Sequence, residues 1–296
     1  MQLARARRTR WRRYDWVAYW FVAPALVLLA LMLIGPAIAT VIFSFTDISF
    51  LGPAKFVGFA NYARLLTDPV FGRALFNTVY YTVGTVFPTL VVGLLAAVLL
   101  NKPIRGRGIF RALYYLPVLT SVVAAAMVWM TLYDQRLGLF NGILARLGLP
   151  QQGWLVDPLL AMPSLMAMSV WLSFGLAMII YLAGLQGIPA ELYEAASIDG
   201  AGAVRSFFHI TVPSLRPVTF FLMVVYIVRS FQVFSSVYIM TAGGPLNSTT
   251  TVVYLMYQNA FTFLKAGYGS AIATVLFIAI LLFSLIASRL VPRNDS

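Results

Sequence analysis

Three carboxylates, Glu191, Glu194 and Asp199, fall within nine positions of a chain that holds nine acids in all. Ala195 and Ala196 sit among them and Gly200 follows. Such a group can present negative charge to a basic partner, while small side chains let another backbone come close. A second polar set lies inside apolar sequence. In "SVWLSFGL", Ser169, Leu172, Ser173 and Leu176 share one helical face, and in "YIVRSFQVF" Tyr226, Arg229, Ser230 and Val233 do the same. Hydroxyls and an aromatic ring suit a hydroxyl-rich solute. Serine is equally common at contacts between membrane helices, so packing is the competing reading. Arg229 is a full charge with no acid of its own chain at that depth. Its planar donor fork suits hydroxyls, a phosphate or an acid on a partner chain.

Other chemistry is absent from the sequence. No cysteine and a single histidine, His209, leave no thiolate or multi-histidine metal site. No glycine precedes Lys55, Lys102 or Lys265, so no P-loop cradles a nucleotide. HExxH and GxSxG are missing too, so the chain reads as a non-enzyme without a cofactor of its own. Asp15, Asp47, Asp68, Asp134, Asp157, Glu191, Glu194, Asp199 and Asp295 all fall in loops, tails or span edges. An ion-coupled secondary carrier, the alternative from a different class, commonly uses ionisable groups at membrane depth or an internal repeat. Neither is visible, and any driving energy is expected from a partner.

The elements that position these residues are membrane spans. The chain is 61% hydrophobic with mean hydropathy +0.86, well above a soluble domain. A bilayer core of ~30 Å needs ~20 apolar helical residues. Six segments qualify: Trp16 to Phe43, Asn77 to Leu100, Leu113 to Tyr133, Leu159 to Leu185, Pro217 to Met240 and Tyr268 to Leu290. The fold class expected is an all-α membrane protein of six transmembrane helices. Pro24, Pro36, Pro88, Pro117 and Pro163 do not veto these spans, because a bundle can satisfy the freed carbonyls. The first apolar run is about twice the length of a signal-peptide core and reads as uncleaved.

Arginine and lysine set the orientation. Fourteen of the 21 lie in the N-terminal tail, the second and fourth loops and the C-terminus, against six in the remaining loops. The positive-inside rule then places both termini in the cytoplasm. Residues 1–15 form a basic cytoplasmic tail, including Arg5, Arg7, Arg8, Arg10, Arg12 and Arg13, and residues 16–296 form the membrane domain. The charge of +12 thus needs no nucleic acid, only topology and anionic lipid.

The acidic group lies in the fourth loop, residues 186–216. Pro189 reads as a first-turn proline, Glu191 and Glu194 sit near the positive end of a helix dipole, and Gly200 suits a left-handed helix end. A second short helix is expected from about Ala203 to Ile210, stopped before Pro213. Composition leaves an ordinary interfacial loop and a docking segment about equal. "TAGGP", Thr241 to Pro245, needs positive φ at one or both glycines, and Val252 to Leu264 reads as an interfacial amphipathic helix.

The spacing goes further. Glu194-Ala195-Ala196, three residues, Gly200, nine residues, Ile210, one residue and then Val212-Pro213 resembles the EAA signature of ABC-importer membrane subunits. That family has leucine where this chain has Val212. "FVGFANYARLLTDPVFGRALFNT", "RALYYLP" and "TAGGPLNSTTT" are similar to its carbohydrate branch, which includes maltose and glycerol-3-phosphate permeases. The resemblance implies a type I ABC-importer permease fold that carries a di- or oligosaccharide, or alternatively glycerol-3-phosphate or a polyol. It implies a homologous second permease, a cytoplasmic ATPase dimer that binds ATP and Mg, and an extracytoplasmic solute-binding protein. On that resemblance Glu194, Ala195, Ala196, Asp199, Gly200, Ile210 and Pro213 would form the segment that couples to the ATPase. Ser169, Leu172, Ser173, Leu176, Tyr226, Arg229, Ser230 and Val233 would line the substrate path.

Overall fold

The computed structural model describes residues 19–49 and 54–290. The arginine tail with Asp15, the first residues of the first span from Trp16, and Arg293 and Asp295 lie outside them. Described helices, in order, are α1 (Tyr19–Ser44), α2 (Ala60–Thr67), α3 (Pro69–Asn101), α4 (Arg107–Tyr115), α5 (Val122–Leu132), α6 (Leu139–Arg146) and α7 (Ala161–Gln186). There follow α8 (Ala190–Ile198), α9 (Ala203–Ser214), α10 (Arg216–Phe231), α11 (Ser235–Met240), α12 (Val252–Tyr257) and α13 (Ala266–Leu290). The described residues contain no strand, and Thr46 and Phe56 form an isolated bridge. Four helices, α1, α3, α7 and α13, are each long and apolar enough to cross a membrane, and up to six spans result if two bent pairs count as one each.

Breaks in the helices correct two expected spans. The third is not one rod: α4 runs through the turn Leu116–Leu119 and meets α5 at 99°. Pro117 lies in that turn, and Thr120 and Ser121 are extended. The fifth, expected from Pro217 to Met240, is interrupted at Gln232–Phe234 before α11, and the 64° bend between α9 and α10 falls just before it. Elsewhere prolines are absorbed. Pro36 and Pro213 have no N–H to donate. The residue before each closes a wider, π-type turn instead, Gly35 N–H onto Ala30 O and Val212 N–H onto Phe207 O. That is why Pro213 does not end the helix after Ile210, as the sequence suggested; α9 continues to Ser214. Pro88 lies inside the 33-residue α3.

The described residues divide into two compact units, those up to Leu65 with Asn259–Thr274, and Leu66–Gln258 with those from Val275 onward. In the first, the buried Asn61 amide donates to the carbonyls of Ser44 and Thr46, both at 2.9 Å, satisfying backbone oxygens at the end of α1. In the second, α3 and α7 pack together as its spine. Gly84 lies beside Met166, and Gly93 lies against Ala177, Met178 N and Phe174 O. Val86, Leu90, Met178, Leu182, Leu222 and Tyr226 join α3, α7 and α10 in one apolar core. Tyr81, Met162, Leu165, Val237 and Met240 belong to another, shared with α11.

A Cβ at Gly93 would stand 2.7 Å from Ala177 Cβ, too close without moving a backbone, whereas one at Gly72 on the same helix meets nothing within 4 Å. Gly93→Ala is expected to destabilise the detergent-solubilised protein by about 1–3 kcal/mol. Gly72→Ala should stabilise it by roughly 0.5–1 kcal/mol. Thermal melts of the two variants against wild type check the contrast.

Candidate functional site

The loop that carries the acids is a hook of two short helices. Pro189 caps α8 from just outside, one position earlier than expected. Glu191, Glu194, Ala195 and Asp199 are solvent-exposed and Ala196 partly so. At the far end, Gly200 has φ +75°, Gly200 N–H bonds Ser197 O at 3.1 Å and Ala201 N–H bonds Ala196 O at 2.8 Å. This paired pattern closes a helix on a left-handed residue, a role that glycine fills without a Cβ penalty. The turn sends the chain back as α9. Tyr193 Oη and the buried Thr211 Oγ1, 2.9 Å apart, tie the two helices together.

The hook presents more than charge. Leu192, Ile198, Val204 and Phe208 are all exposed, Ile198 to 87%. The last three flank "DGAG" and were not singled out in the sequence, though three apolar residues around a Gly-rich turn are the signal that shows them. Ile210 and Pro213 are half-buried, on the side where the hook joins the bundle. That junction is packed: Leu185 at the end of α7 and Leu215 before α10 are buried in one core.

Thus α7 leads into the hook and α10 leads out of it, and the same two helices face a cavity of about 380 Å³. All eight residues proposed from their helical spacing line it: Ser169, Leu172, Ser173 and Leu176 from α7, and Tyr226, Arg229, Ser230 and Val233 from α10 and the break after it. The polar ones are held in place. Tyr226 Oη donates to Ser173 O at 2.9 Å, and Tyr81 Oη donates to Ser169 Oγ at 2.6 Å. Ser230 Oγ lies 3.2 Å from Thr85 Oγ1.

Arg229 is exposed on the cavity wall rather than set in mid-helix, because α10 ends at Phe231. Its place in the last turn is one that a helix dipole favours for a cation. No carboxylate lines this cavity among the described residues.

Sequence reasoning missed the third wall. Tyr81, Thr85 and Thr89 of α3 line the cavity, as do Thr120, Gln232 and Ser236. Threonine spacing at 78, 82, 85 and 89 inside one apolar span was the available signal. Thr78, Thr82 and Thr85 each donate to a carbonyl one turn back, at 2.7–2.8 Å, which is how an apolar helix carries hydroxyls. "TAGGP" places Gly243 at φ +79°, with Ala242, Leu246 and Asn247 also positive, and Gly244 is not. Asn77 Nδ2 donates to the carbonyls of Asn247 and Thr250, both at 2.9 Å, holding that loop onto α3.

Known proteins share this architecture. A family model described as "Binding-protein-dependent transport system inner membrane component" matches residues 65–296. The sulfoquinovosyl glycerol transport system permease protein SmoG of Agrobacterium fabrum is 35% identical over 274 residues, covering 92% of this chain and 89% of that one. The trehalose/maltose transport system permease protein MalF of Thermococcus litoralis is 34% identical over 264 residues, 89% of each chain. A solved chain of a bacterial ABC transporter involved in the import of the acidic polysaccharide alginate superposes with TM-score 0.85 at 22% identity, covering 98% of this chain and 100% of its own.

Replacing Gly200 by Ala forces a Cβ into the left-handed region and should strain the turn by roughly 1–2 kcal/mol. Tyr193→Phe removes the tie to Thr211 and should loosen the hook by about 0.5–1.5 kcal/mol. Hydrogen exchange over Glu191 to Thr211 is expected to quicken in both variants, and exchange in α3 and α7 to stay as in wild type.

Proposed function

This chain belongs to the binding-protein-dependent transport system inner membrane components, and we propose from that membership that it is one permease of an ATP-driven carbohydrate importer. It is a membrane permease of an ABC system and not an enzyme. One observation carries the reading. The helices that enter and leave the exposed hook, α7 and α10, are the ones whose polar faces meet in a single cavity.

In this proposal the chain crosses the inner membrane six times with both termini in the cytoplasm, so the hook is cytoplasmic and reaches an ATPase subunit. Glu194 and Asp199 meet cationic groups there, while Ala195 and Ala196 allow close approach and Gly200 makes the turn. Ile210 and Pro213 fix the hook to the bundle. ATP and Mg are bound by the ATPase dimer. Nucleotide binding closes the cytoplasmic side by moving the hook, and with it α7 and α10, in an alternating-access cycle. The cavity is half of the path, completed by a homologous second permease, and an extracytoplasmic binding protein delivers the solute.

A di- or oligosaccharide suits the walls. Ser169, Ser173, Ser230 and Tyr226 offer hydroxyl partners, and Leu172, Leu176 and Val233 offer apolar contact to ring carbons. A second substrate reading rests on Arg229: one guanidinium without a lining carboxylate favours an anionic saccharide or a polyol phosphate such as glycerol-3-phosphate.

A mild-detergent pull-down of the tagged chain from its native membrane tests the assembly. Wild type is expected to bring down an ATPase and a second permease, and Glu194→Lys to lose the ATPase while keeping the permease. Wild type recovered alone, or only with copies of itself, overturns the importer reading.

A further inference from the structure

A second cavity, of about 690 Å³, lies at the end of the bundle away from the hook. Its position follows from α7: residues just before that helix, Trp154 among them, line this cavity, mid-helix residues line the first, and the hook comes after its end. Two further helices run from one cavity to the other. On α5, Val122 lines the first and Met130 the second, with Tyr133 just beyond. On α11, Ser236 lines the first and Ile239 the second. At a helical rise of ~1.5 Å per residue, the separation is between roughly 5 and 16 Å along these axes.

The walls of the second cavity combine aromatic rings with hydrogen-bonding groups. Tyr133 and Trp154 have ring centres 5.7 Å apart and are anchored from behind, Tyr133 Oη to Ser164 O at 3.0 Å and Trp154 Nε1 to Asn141 Oδ1 at 3.1 Å. Asp134 and Gln135 stand exposed beside them. Asp134 Oδ1 accepts from Leu137 N and Arg136 N at 2.7 and 2.9 Å, which leaves Oδ2 to accept from a ligand. Those backbone donors hold its pKa below the ordinary carboxylate value, so it is charged at neutral pH.

We propose that this second cavity is an outer saccharide subsite, where a sugar unit packs its apolar face on Trp154, which the buried Tyr133 backs, hydrogen-bonds Asp134 and Gln135, and then passes inward along α5 and α11. It rests on the transport reading above and adds a stopping place between the binding protein and the inner cavity. Asp134 makes the subsite favour units that offer hydroxyl donors.

The test begins in the native strain. A strain lacking this gene is screened for the saccharide it no longer takes up; if uptake of every saccharide persists, the transport reading fails and the subsite falls with it. For a saccharide that is lost, Asp134→Asn and Gln135→Ala are then compared with wild type, per assembled complex. In Asp134→Asn the amide oxygen can still accept from Leu137 and Arg136, so the turn survives. Loss of one ligand hydrogen bond predicts a fall in saturated uptake of about three- to tenfold. The preference between two saccharides that the same binding protein delivers should also change.

An independent readout uses the absence of native cysteine. Gln135→Cys in the assembled importer is labelled with N-ethylmaleimide, without binding protein, and followed by the mass of this chain. The saccharide is expected to slow its labelling and to leave Leu137→Cys, at a site 93% exposed, unaffected. Unchanged preference together with unprotected Gln135→Cys overturns the subsite. So does an equal fall for every saccharide with protection by sugar-free binding protein, which makes the cavity a protein-docking socket.

Discussion

Close backbone contact between α3 and α7 is the constraint on which the rest of the larger unit depends. At Gly93 the two helices approach until Ala177 Cβ, Met178 N and Phe174 O occupy the space that a side chain would need. The contact brings the Thr85 and Tyr81 face of α3 against the Ser169 and Ser173 face of α7, and so defines two walls of the inner cavity. It also directs the end of α7 into the hook. A looser spine would separate Tyr81 Oη from Ser169 Oγ and leave polar groups unpaired in an apolar helix bundle, where that is costly.

Polar satisfaction explains most of the remaining geometry. Hydroxyls enter the apolar helices by bonding a carbonyl one turn back, as Thr78, Thr82, Thr85 and Thr274 do. Helices reach their prolines through π turns at Pro36 and Pro213, which close with the N–H of the preceding residue. Loops are fixed by amides: Asn61 holds the segment after α1, Asn77 holds the loop after α11, and Asn141 holds Gln152 and Trp154. The hook is the exception. It is closed internally, by Gly200 and by Tyr193 with Thr211, yet it leaves Leu192, Ile198, Val204 and Phe208 in the open. A surface this apolar, with three carboxylates beside it, fits the proposed ATPase contact.

Much of this was legible in the sequence, and the failures have physical causes. Apolar length located α1, α3, α7 and α13 to within a few residues, apart from the start of α3, where Asp68 accepts from Val70 N and Pro69 begins the helix eight residues before Asn77. Helical periodicity placed seven of the eight residues on faces of α7 and α10 that meet in one cavity, and Val233 lines it from the break just after α10. Breaks were invisible to the same reasoning. The 99° bend comes just after Pro117 and the gap at Gln232–Phe234 interrupts an apolar run, and hydropathy reports neither. Thr85 and Thr89 were overlooked because threonine in an apolar span reads as a tolerated residue until a neighbouring helix shows which way it faces. The positive φ of Ala242 and Leu246 carries no compositional mark, unlike that of Gly243 and Asn247.

The central claim is that the exposed face of the hook is covered by an ATPase subunit, and that the cavity between α7 and α10 is moved through it. The most direct measurement is site-specific photocrosslinking from Ala195, an exposed position on α8, in the intact native membrane. The account predicts one adduct, between this chain and an ATP-binding subunit, whose yield changes when nucleotide is added. Adducts to lipid alone, or to a second copy of this chain regardless of nucleotide, would contradict it.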